Sequence, residues 1–505
     1  MSDVTVGWRN EKIGIFGSAG LVGILVVALA AMPAFLAFVL QQWAAGAALS
    51  VLCLLVGVLA LGRVKERALW IWIGHAILFV FGRSGGRSSW MARAAEGDMT
   101  VEEAAELDLP GALQALTLHD GPAMPGARGQ RPAVLQHSSG TWAMVAKVEH
   151  RGVAMSDSGA LNRFGQALGQ AVQRVAKSQA GMVRLSLYVR TVPDDGAERA
   201  AWVVSNASQD VPKTLQRSAQ ELEMRILSRA TRHDYYVVAV WSEGRLQRLA
   251  KASGGGLHGR AIAMYRSLGG LESDLGEAGA ESISWLTGTQ LAAVIREGFN
   301  PGSAMPLAVA RAQATSPSAA ASVGVSPGAA GPSQAPPPRA RSYQHDGYAT
   351  VAYSLVLPEL STRVGKIRPL LTPAQREERR CLALHFEPMD TKRGLKAVER
   401  DTSASWMSTE VRRAKGFRVA KSSERRVRAA LHQEERLADG HNLVRVAGAV
   451  AVTTPLSTEI ETAATLIETS ALGAGYELMR LDLAQDTGFV AAVLPVGVGL
   501  PRRSA

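Results

Sequence analysis

The sequence predicts an α+β protein that begins with a transmembrane helical hairpin and continues into two cytoplasmic α+β units of ferredoxin-like or related fold. Three observations predict this class. Residues 15–61 contain no Asp, Glu, Lys, Arg or His. The rest of the chain alternates short β-type segments with amphipathic helical segments. A Pro- and Ala-rich stretch, residues 301–342, divides these segments into two groups.

The apolar stretch, residues 15–62, is predicted to cross the membrane twice. About 20 apolar residues span the hydrocarbon core as a helix, and this stretch has room for two such helices, 16–40 and 44–61. Gln41, Gln42 and Trp43 suit a turn at the headgroup interface. The alternatives are a signal peptide, for which the stretch is too long, and a hairpin buried in a protein core.

Loop charges predict the topology of this hairpin. Arg9 and Lys12 precede the first helix, and three basic residues follow the second, whereas the turn is uncharged. The positive-inside rule therefore places residues 1–14 and the C-terminus in the cytoplasm, so the chain is expected to be a multi-pass protein of the cell inner (plasma) membrane.

Residues 63–99 are predicted to form an interfacial amphipathic and basic segment. The apolar part, residues 68–81, has two tryptophans and is bounded by arginines, which suits a helix lying at the membrane surface. A third crossing is the alternative.

Residues 100–300 are predicted to form the first α+β unit, with helices packed on one face of its sheet. Alternating apolar residues at 182–192 predict a strand with one covered face. Asp157 or Ser158 is the expected N-cap of the helix that precedes this strand. The other predicted strands are 131–136, 141–150 and 235–241, and the predicted helices are 157–177, 212–232, 246–251, 262–268 and 289–299.

Residues 301–342 are predicted to form a disordered linker, because they contain no acidic residue and no aromatic residue that would support a packed core. Residues 343–505 are predicted to form the second α+β unit. Its predicted strands are 348–357, 380–387, 443–453 and 476–483, and its predicted helices are 359–370, 391–400, 408–437, 457–472 and 486–494.

Motifs for catalysis are missing from the sequence. There is no Walker A loop, no H-E-x-x-H, no C-x-x-C and no G-x-S-x-G. Gly254, Gly256 and Gly259 match G-x-G-x-x-G, but they follow a helical pattern rather than a strand, so a dinucleotide site is not expected. We therefore predict no catalytic, cofactor-binding or metal-binding residues, and a protein that is not an enzyme. Cys53 and Cys381 are too few for a disulfide framework or a metal site.

Two further features carry alternatives. His345 and Asp346 could ligate metal or transfer protons, but they lie at a linker end without a second ligand pair, which favours a turn or cap. His385, within a strand, is expected to be structural. The net charge of +11 allows contact with nucleic acid, anionic lipid or an acidic protein partner, and lipid is the first choice for the charges near the hairpin. The basic residues of 408–437 could contact nucleic acid. The near absence of interleaved aromatics makes an acidic protein partner or a solvated face the favoured reading.

Five segments carry a resemblance to a known family. They are SYQHDGYATVAYSL, IRPLLTP, RRCLALHFEPMDTKRGLKAVERD, LVRVAGAVAVTTP and FVAAVLPVGVGLPR. Together they resemble a family of actinobacterial membrane proteins associated with conjugation by type IV secretion-like systems. The soluble part is similar to the N-terminal, non-ATPase half of TraC-type secretion ATPases, and the hairpin resembles the two-helix membrane subunit often fused to that ATPase. The segments DLPGALQAL, RPAVLQHSSGTWAMVAKV and MVRLSLYVR agree with this pattern.

The resemblance implies a non-catalytic inner-membrane scaffold that anchors a separate hexameric TraC-like ATPase to a conjugative DNA-transfer apparatus. The expected partners are that ATPase, other membrane secretion subunits and the lipid bilayer, within an oligomeric complex. Direct contact with nucleic acid is not favoured, and no cofactor is expected. The alternatives are a type VII secretion membrane component with two N-terminal helices and a cytoplasmic domain, and a membrane-bound enzyme that would use His345, Asp346 and His385.

Overall fold

A computed structural model of the chain describes most of the sequence. The predicted N-terminal tail, the start of the hairpin and the predicted helices 391–400 and 408–437, apart from residue 435, lie outside the described residues. The described residues are 21–64, 67–84, 89–97, 99–126, 130–150, 152, 157–178, 181–194, 196, 203, 206, 208, 211–227, 230–314, 316, 319, 322–356, 365–389, 435 and 442–500.

The chain divides into two units. The helical unit contains the apolar helices, and its two short strands pair with each other. Its elements are α1 (Leu21–Val39), α2 (Trp43–Leu61), β1 (Arg63–Val64), β2 (Arg67–Ala68) and α3 (Leu69–Ser84).

Helices α1 and α2 pack against each other through small residues. Ala34 and Ala37 are buried, and the position of a Cβ on Gly57 would lie 3.9 Å from the side chain of Val27. Among the described residues, one helical stretch, Trp43–Ala60, is long and apolar enough to cross a membrane, and the apolar stretch Val27–Val39 is shorter.

The α+β body contains the described residues from 89 to 388 and from 444 to 500. Its strands are β3 (Trp90–Met91), β4 (Thr117–Asp120), β5 (Ala133–His137), β6 (Thr141–His150), β7 (Met182–Pro193), β8 (Thr231–Ser242), β9 (Ala280–Trp285), β10 (Gln334–Ala335), β11 (Tyr343–His345), β12 (Tyr348–Val356), β13 (Arg379–Pro388), β14 (Val444–Pro455) and β15 (Glu477–Arg480).

The helices of the body confirm the mixed α+β class. Most of the predicted helices are present, with ends that differ by a few residues. Their bounds are α4 (Arg93–Glu96), α5 (Val101–Ala105), α6 (Ser158–Lys177), α7 (Lys213–Leu227), α8 (Glu243–Ala252), α9 (Gly256–Glu277), α10 (Gly288–Phe299), α11 (Ala304–Ala312), α12 (Arg368–Leu371), α13 (Ile460–Gly473) and α14 (Gln485–Val493), with 3-10 turns at Gly111–Leu113, Pro301–Ser303 and Pro327–Ala329.

Asp157 is the N-cap of α6, as the sequence predicts. Its carboxylate accepts a hydrogen bond from the backbone N–H of Ala160 at 2.5 Å. This bond satisfies one of the backbone donors left without a helical partner in the first turn.

One sheet runs through both halves of the body, in the order β11-β12-β14-β13-β7-β8-β6-β5-β4, with β15 beside β12 and β9 beside β6. The two separate units expected at 100–300 and 343–505 therefore share this sheet. Strands β7 and β13 join them as antiparallel neighbours, with Tyr188 opposite Ala383. Each of these strands also pairs on its other side, β13 with β14 and β7 with β8, so neither forms an edge.

The two halves of the sheet repeat the same arrangement. Counting outward from the β7–β13 pair, β8 and β6 match β14 and β12, and β9 matches β15. The connecting helices match as well, because α9 links β8 to β9 as α13 links β14 to β15. The β7–β13 pair is therefore the centre from which this order of strands repeats.

Both faces of the sheet are covered, contrary to the expectation of helices on one face. Residues of α6, α9 and α13 contribute to the core on one face, and residues of α10 and α14 contribute to the core on the other. The alternation in β7 predicts one exposed face, but the polar positions of this strand are buried as well. Ser186 is 0% exposed and Arg190 is 4% exposed. The guanidinium of Arg190 donates to the backbone oxygens of Val493, at the end of α14, and of Val294, within α10. A charged side chain is therefore accommodated between the sheet and these two helices.

The segment 301–342 differs from the expected disordered linker. Its described part contains α11, and Ala330 is fully buried. Glycine explains the close packing, since a Cβ on Gly331 would lie 2.2 Å from the backbone oxygen of Asp108. Small residues that suggested disorder by composition instead let this segment lie directly against the backbone of the body.

Candidate functional site

The predicted His345–Asp346 pair forms part of a turn between β11 and β12. His345 is 1% exposed. Its Nδ1 bonds to the backbone oxygen of Phe299, which can only accept, so Nδ1 carries the proton. Its Nε2 accepts from the hydroxyl of Thr350 at 2.8 Å, and that hydroxyl lies 2.8 Å from the hydroxyl of Thr453. Burial lowers the pKa of His345 to about 4, so the imidazole is neutral at pH 7.

Asp346 holds the neighbouring chain in place. Its backbone has φ of 42°, in the left-handed region. Its Oδ1 accepts from the backbone N–H groups of Ser333 at 2.7 Å and Gln334 at 3.1 Å, and its Oδ2 lies 3.0 Å from the guanidinium of Arg296. All of these contacts serve to fix the turn, and none brings a second imidazole or thiol to the pair.

His385 and His137 are also buried. His385 lies in β13, where its Nδ1 is 2.9 Å from the hydroxyl of Ser186. Burial, with a smaller contribution from the charge of Arg184, lowers the pKa of His385 to about 3 and that of His137 to about 4. A histidine that stays neutral at this depth serves packing rather than proton transfer near pH 7.

The glycine motif of residues 254–259 is a helix-to-helix turn. Gly254, Gly255 and Gly256 all have positive φ and link α8 to α9. A Cβ on Gly259 would lie 2.3 Å from the backbone oxygen of Ala250. The motif therefore lets two helices approach closely, and it lacks the preceding strand that a dinucleotide site needs.

A shallow cavity of about 210 Å³ lies in the body. Its walls include four aromatic side chains, Asp486 and Thr487, and the hydroxyl of Thr487 donates to the carboxylate of Asp486 at 3.4 Å. Within the described ranges, no three His, Cys, Asp or Glu side chains are placed to hold a metal ion. The aromatic residues are Trp90, Phe299, Tyr343 and Phe489.

A basic surface covers the α8–α9 pair, and the sequence reading missed it. Residues 243–266 contain five basic residues and one acidic residue, a net charge of +4. We call this surface the basic hairpin; four of its basic side chains are exposed. A basic residue at every third position of α8 is the signal that could have revealed it. The exposed members are Arg245, Arg248, Lys251 and Arg266.

Helix α7 exposes apolar side chains. Leu215 and Leu222 are each 59% exposed, and Met224 is 64% exposed. Leu215 and Leu222 are seven residues apart, so they lie on one face of the helix. An exposed apolar face of this kind is typical of a protein-contact surface.

The helical unit exposes still more apolar surface. Leu54 is 68% exposed and Trp43 is 70% exposed. Such exposure along a 19-residue apolar helix is unfavourable in water and favourable in lipid.

No protein-family model matches this chain, and no curated protein sequence is significantly similar to it.

Proposed function

We propose that this chain is a non-catalytic, multi-pass inner-membrane scaffold of a type IV secretion-like conjugative apparatus, and that it anchors a separate hexameric ATPase. The α1–α2 pair would cross the membrane, with both chain ends in the cytoplasm. The two halves of the body would be related to ferredoxin-like units of the kind expected from the sequence.

The observation that carries this proposal is the exposure of α2. The stretch Trp43–Ala60 has a mean hydropathy of 2.3, yet 6% of it is buried. A core helix of a soluble protein with this composition would be mostly buried. An apolar helix that its own protein leaves uncovered is best explained by a lipid environment.

The burial and hydrogen bonds of the candidate catalytic residues support a non-catalytic role. His345, Asp346 and His385 were the residues that an enzyme hypothesis would use. The two imidazoles are buried and hydrogen-bonded to groups of the fold, and Asp346 fixes a turn. None of the three faces the cavity described above.

The apolar face of α7 supports a protein partner. In this proposal the separate ATPase binds the face formed by Leu215 and Leu222. Other membrane subunits of the apparatus would contact the chain elsewhere within an oligomeric complex.

Topology is testable by cysteine labelling. Cys53 is replaced by alanine, and Gln41→Cys or Ala252→Cys is introduced into separate variants. We expect a membrane-impermeant maleimide to label the cysteine at 41 in intact cells, and the cysteine at 252 after lysis alone. Labelling of both positions in intact cells, or of neither before lysis, would contradict a hairpin with a cytoplasmic body.

The anchoring role is testable in a donor strain that carries the transfer system. A variant lacking residues 15–62 is expected to release both itself and the ATPase into the soluble fraction and to abolish DNA transfer. Leu215→Glu with Leu222→Glu should release the ATPase alone. The matched control, Gln216→Glu with Gln220→Glu, changes the charge equally on the same exposed helix and should behave like the parent.

Some outcomes would overturn this proposal. An ATPase that stays on the membrane without this chain, together with unchanged DNA transfer, would exclude the anchoring role. Loss of export of small secreted proteins, with transfer intact, would favour the type VII alternative.

A further inference from the structure

We infer that the basic hairpin binds the anionic lipid headgroups of the bilayer that holds α1 and α2. The inference rests on the proposed membrane anchoring, and it assigns a role to a surface of the body that the anchoring itself does not use.

The charge of the basic hairpin is concentrated on its exposed side. Arg245, Arg248 and Lys251 follow one another at intervals of three residues along α8 and are all exposed. Arg266 of α9 joins them, because its Nη1 donates to the hydroxyl of Ser253 at 3.2 Å, in the turn between the helices. Four cations therefore share one stretch of surface about two helical turns long.

The single acid of this segment does not neutralise that surface. Glu243 accepts from Nε of Arg260 at 3.1 Å, and it also bonds to the indole of Trp142. The guanidinium of Arg260 lies 5.2 Å from the centre of the Trp142 ring. Arg260 and Glu243 thus neutralise each other, and the four exposed cations remain unbalanced.

Two of the three acids on the rest of α9 bind neighbouring elements of the body. The carboxylate of Asp274 binds Arg174 of α6 at 2.8 Å, and that of Glu272 accepts from the indole of Trp285 at 2.6 Å. Glu277, the third acid, is exposed, but it lies eleven residues beyond Arg266, about 16 Å along the helix. The basic hairpin therefore keeps its positive potential.

The surroundings of these cations favour a lipid surface over a nucleic acid. The one aromatic residue of 243–266 is Tyr265, which is 6% exposed, so the basic hairpin offers no ring for base stacking. Leu249, 36% exposed, lies between Arg248 and Lys251. An apolar side chain among cations suits the boundary between headgroups and acyl chains. Guanidinium and ammonium groups bind lipid phosphates through charge-assisted hydrogen bonds.

The test uses the full chain in lipid nanodiscs. A fluorophore on Ala252→Cys, in the Cys53→Ala background, reports energy transfer to an acceptor on the lipid headgroups. We expect transfer to rise when phosphatidylglycerol is added to phosphatidylcholine and to fall again with salt, because screening shortens the reach of surface charges.

Charge reversal identifies the side chains responsible. Arg245→Glu, Arg248→Glu and Lys251→Glu together should lower the ratio of docked to undocked hairpin by about a hundredfold, given the strength of each basic residue at an anionic leaflet. The matched control reverses three exposed arginines elsewhere and should keep the parent's response. These are Arg163→Glu, Arg376→Glu and Arg445→Glu.

The outcomes separate this inference from the proposed function. A chain that inserts into nanodiscs but shows no response to phosphatidylglycerol overturns the inference and leaves the anchoring intact. The same holds if the control variant loses the response to phosphatidylglycerol as much as the charge-reversal variant does. Salt-sensitive binding of duplex DNA that the reversal abolishes, without any lipid response, also overturns it. A chain that fails to insert overturns the anchoring. The inference is then decided by flotation of that chain with phosphatidylglycerol vesicles. Flotation that requires Arg245, Arg248 and Lys251 supports it, and flotation without them overturns it.

Discussion

Acid should destabilise the α+β body, and His345 should account for a measurable part of that loss. The imidazole has a pKa of about 4 in the folded protein, against 6.5 for an exposed histidine. Between these two values the unfolded chain binds the proton and the folded chain does not. Stability is therefore unaffected above pH 6.5 and falls as the pH drops toward 4.

The size of the effect follows from the two pKa values. At pH 5 the unfolded chain gains about 2 kcal/mol from protonation of this one histidine, and the folded chain gains almost nothing. His345→Gln should remove this contribution, because a Gln amide can donate to the oxygen of Phe299 and accept from Thr350 without titrating.

Urea unfolding followed by tryptophan fluorescence measures this difference. The parent and His345→Gln are compared at pH 7 and pH 5, and we expect the variant to lose less stability than the parent on acidification. His258→Gln, at an exposed position of α9, is the matched control and should follow the parent. An identical loss in the parent and in His345→Gln would refute the reasoning.

Three further predictions concern packing, charge and thiol reactivity. Gly298→Val should destabilise the body by about 1–3 kcal/mol, because a Cβ there would lie 2.4 Å from the side chain of Leu494. Gly276→Ala, with open space around it, should be neutral or stabilising. Equal urea midpoints for the two variants would contradict this prediction. Glu378→Ala should lower the free energy of unfolding by about 3–5 kcal/mol, because it leaves the buried guanidinium of Arg380 without the carboxylate that lies 2.6 Å from its Nε. A urea midpoint within experimental error of the parent's would show that this pair is dispensable. Burial raises the pKa of Cys381 to about 11, so a maleimide should modify it after unfolding and not before, as mass spectrometry of the labelled chain would reveal.

Local patterns in the sequence were sufficient for most individual elements. The apolar stripe and the cap at Asp157 located α6, and alternation located β7. The His345–Asp346 pair was expected to form a turn or cap, and it lies at the turn before β12. These features depend on neighbours within a few residues, which is the range that periodicity and turn chemistry report.

Features that depend on distant partners could not be predicted in the same way. Nothing near Arg190 in the sequence indicates that its guanidinium binds backbone oxygens some 100 and 300 residues away. The segment 301–342 was misread because composition reports what a chain can bury, and Ala330 and Gly331 are useful for their small size rather than for their apolar area. The pairing of β7 with β13 likewise follows from tertiary packing.

The roles of the titratable groups were predictable in kind and not in detail. His345 was expected in a turn or cap because it has no second ligand at suitable spacing, and His385 was expected to be structural because it lies within a strand. The depth of burial that lowers their pKa values is set by helices that cover both faces of the sheet. The exposed cations of the basic hairpin were overlooked because the charged stretch at 408–437 is longer.

The antiparallel pairing of β7 with β13 separates two long connections of the chain. The connection after Pro193 leaves from one end of this strand pair, and the connection after Pro388 leaves from the other end, since Arg380 lies opposite Thr191 and Phe386 lies opposite Leu185. Ten residues of strand correspond to about 33 Å. A partner that binds the ends of both strands, at Pro193 and at Pro388, must therefore span about one strand length, whereas a smaller partner contacts one end.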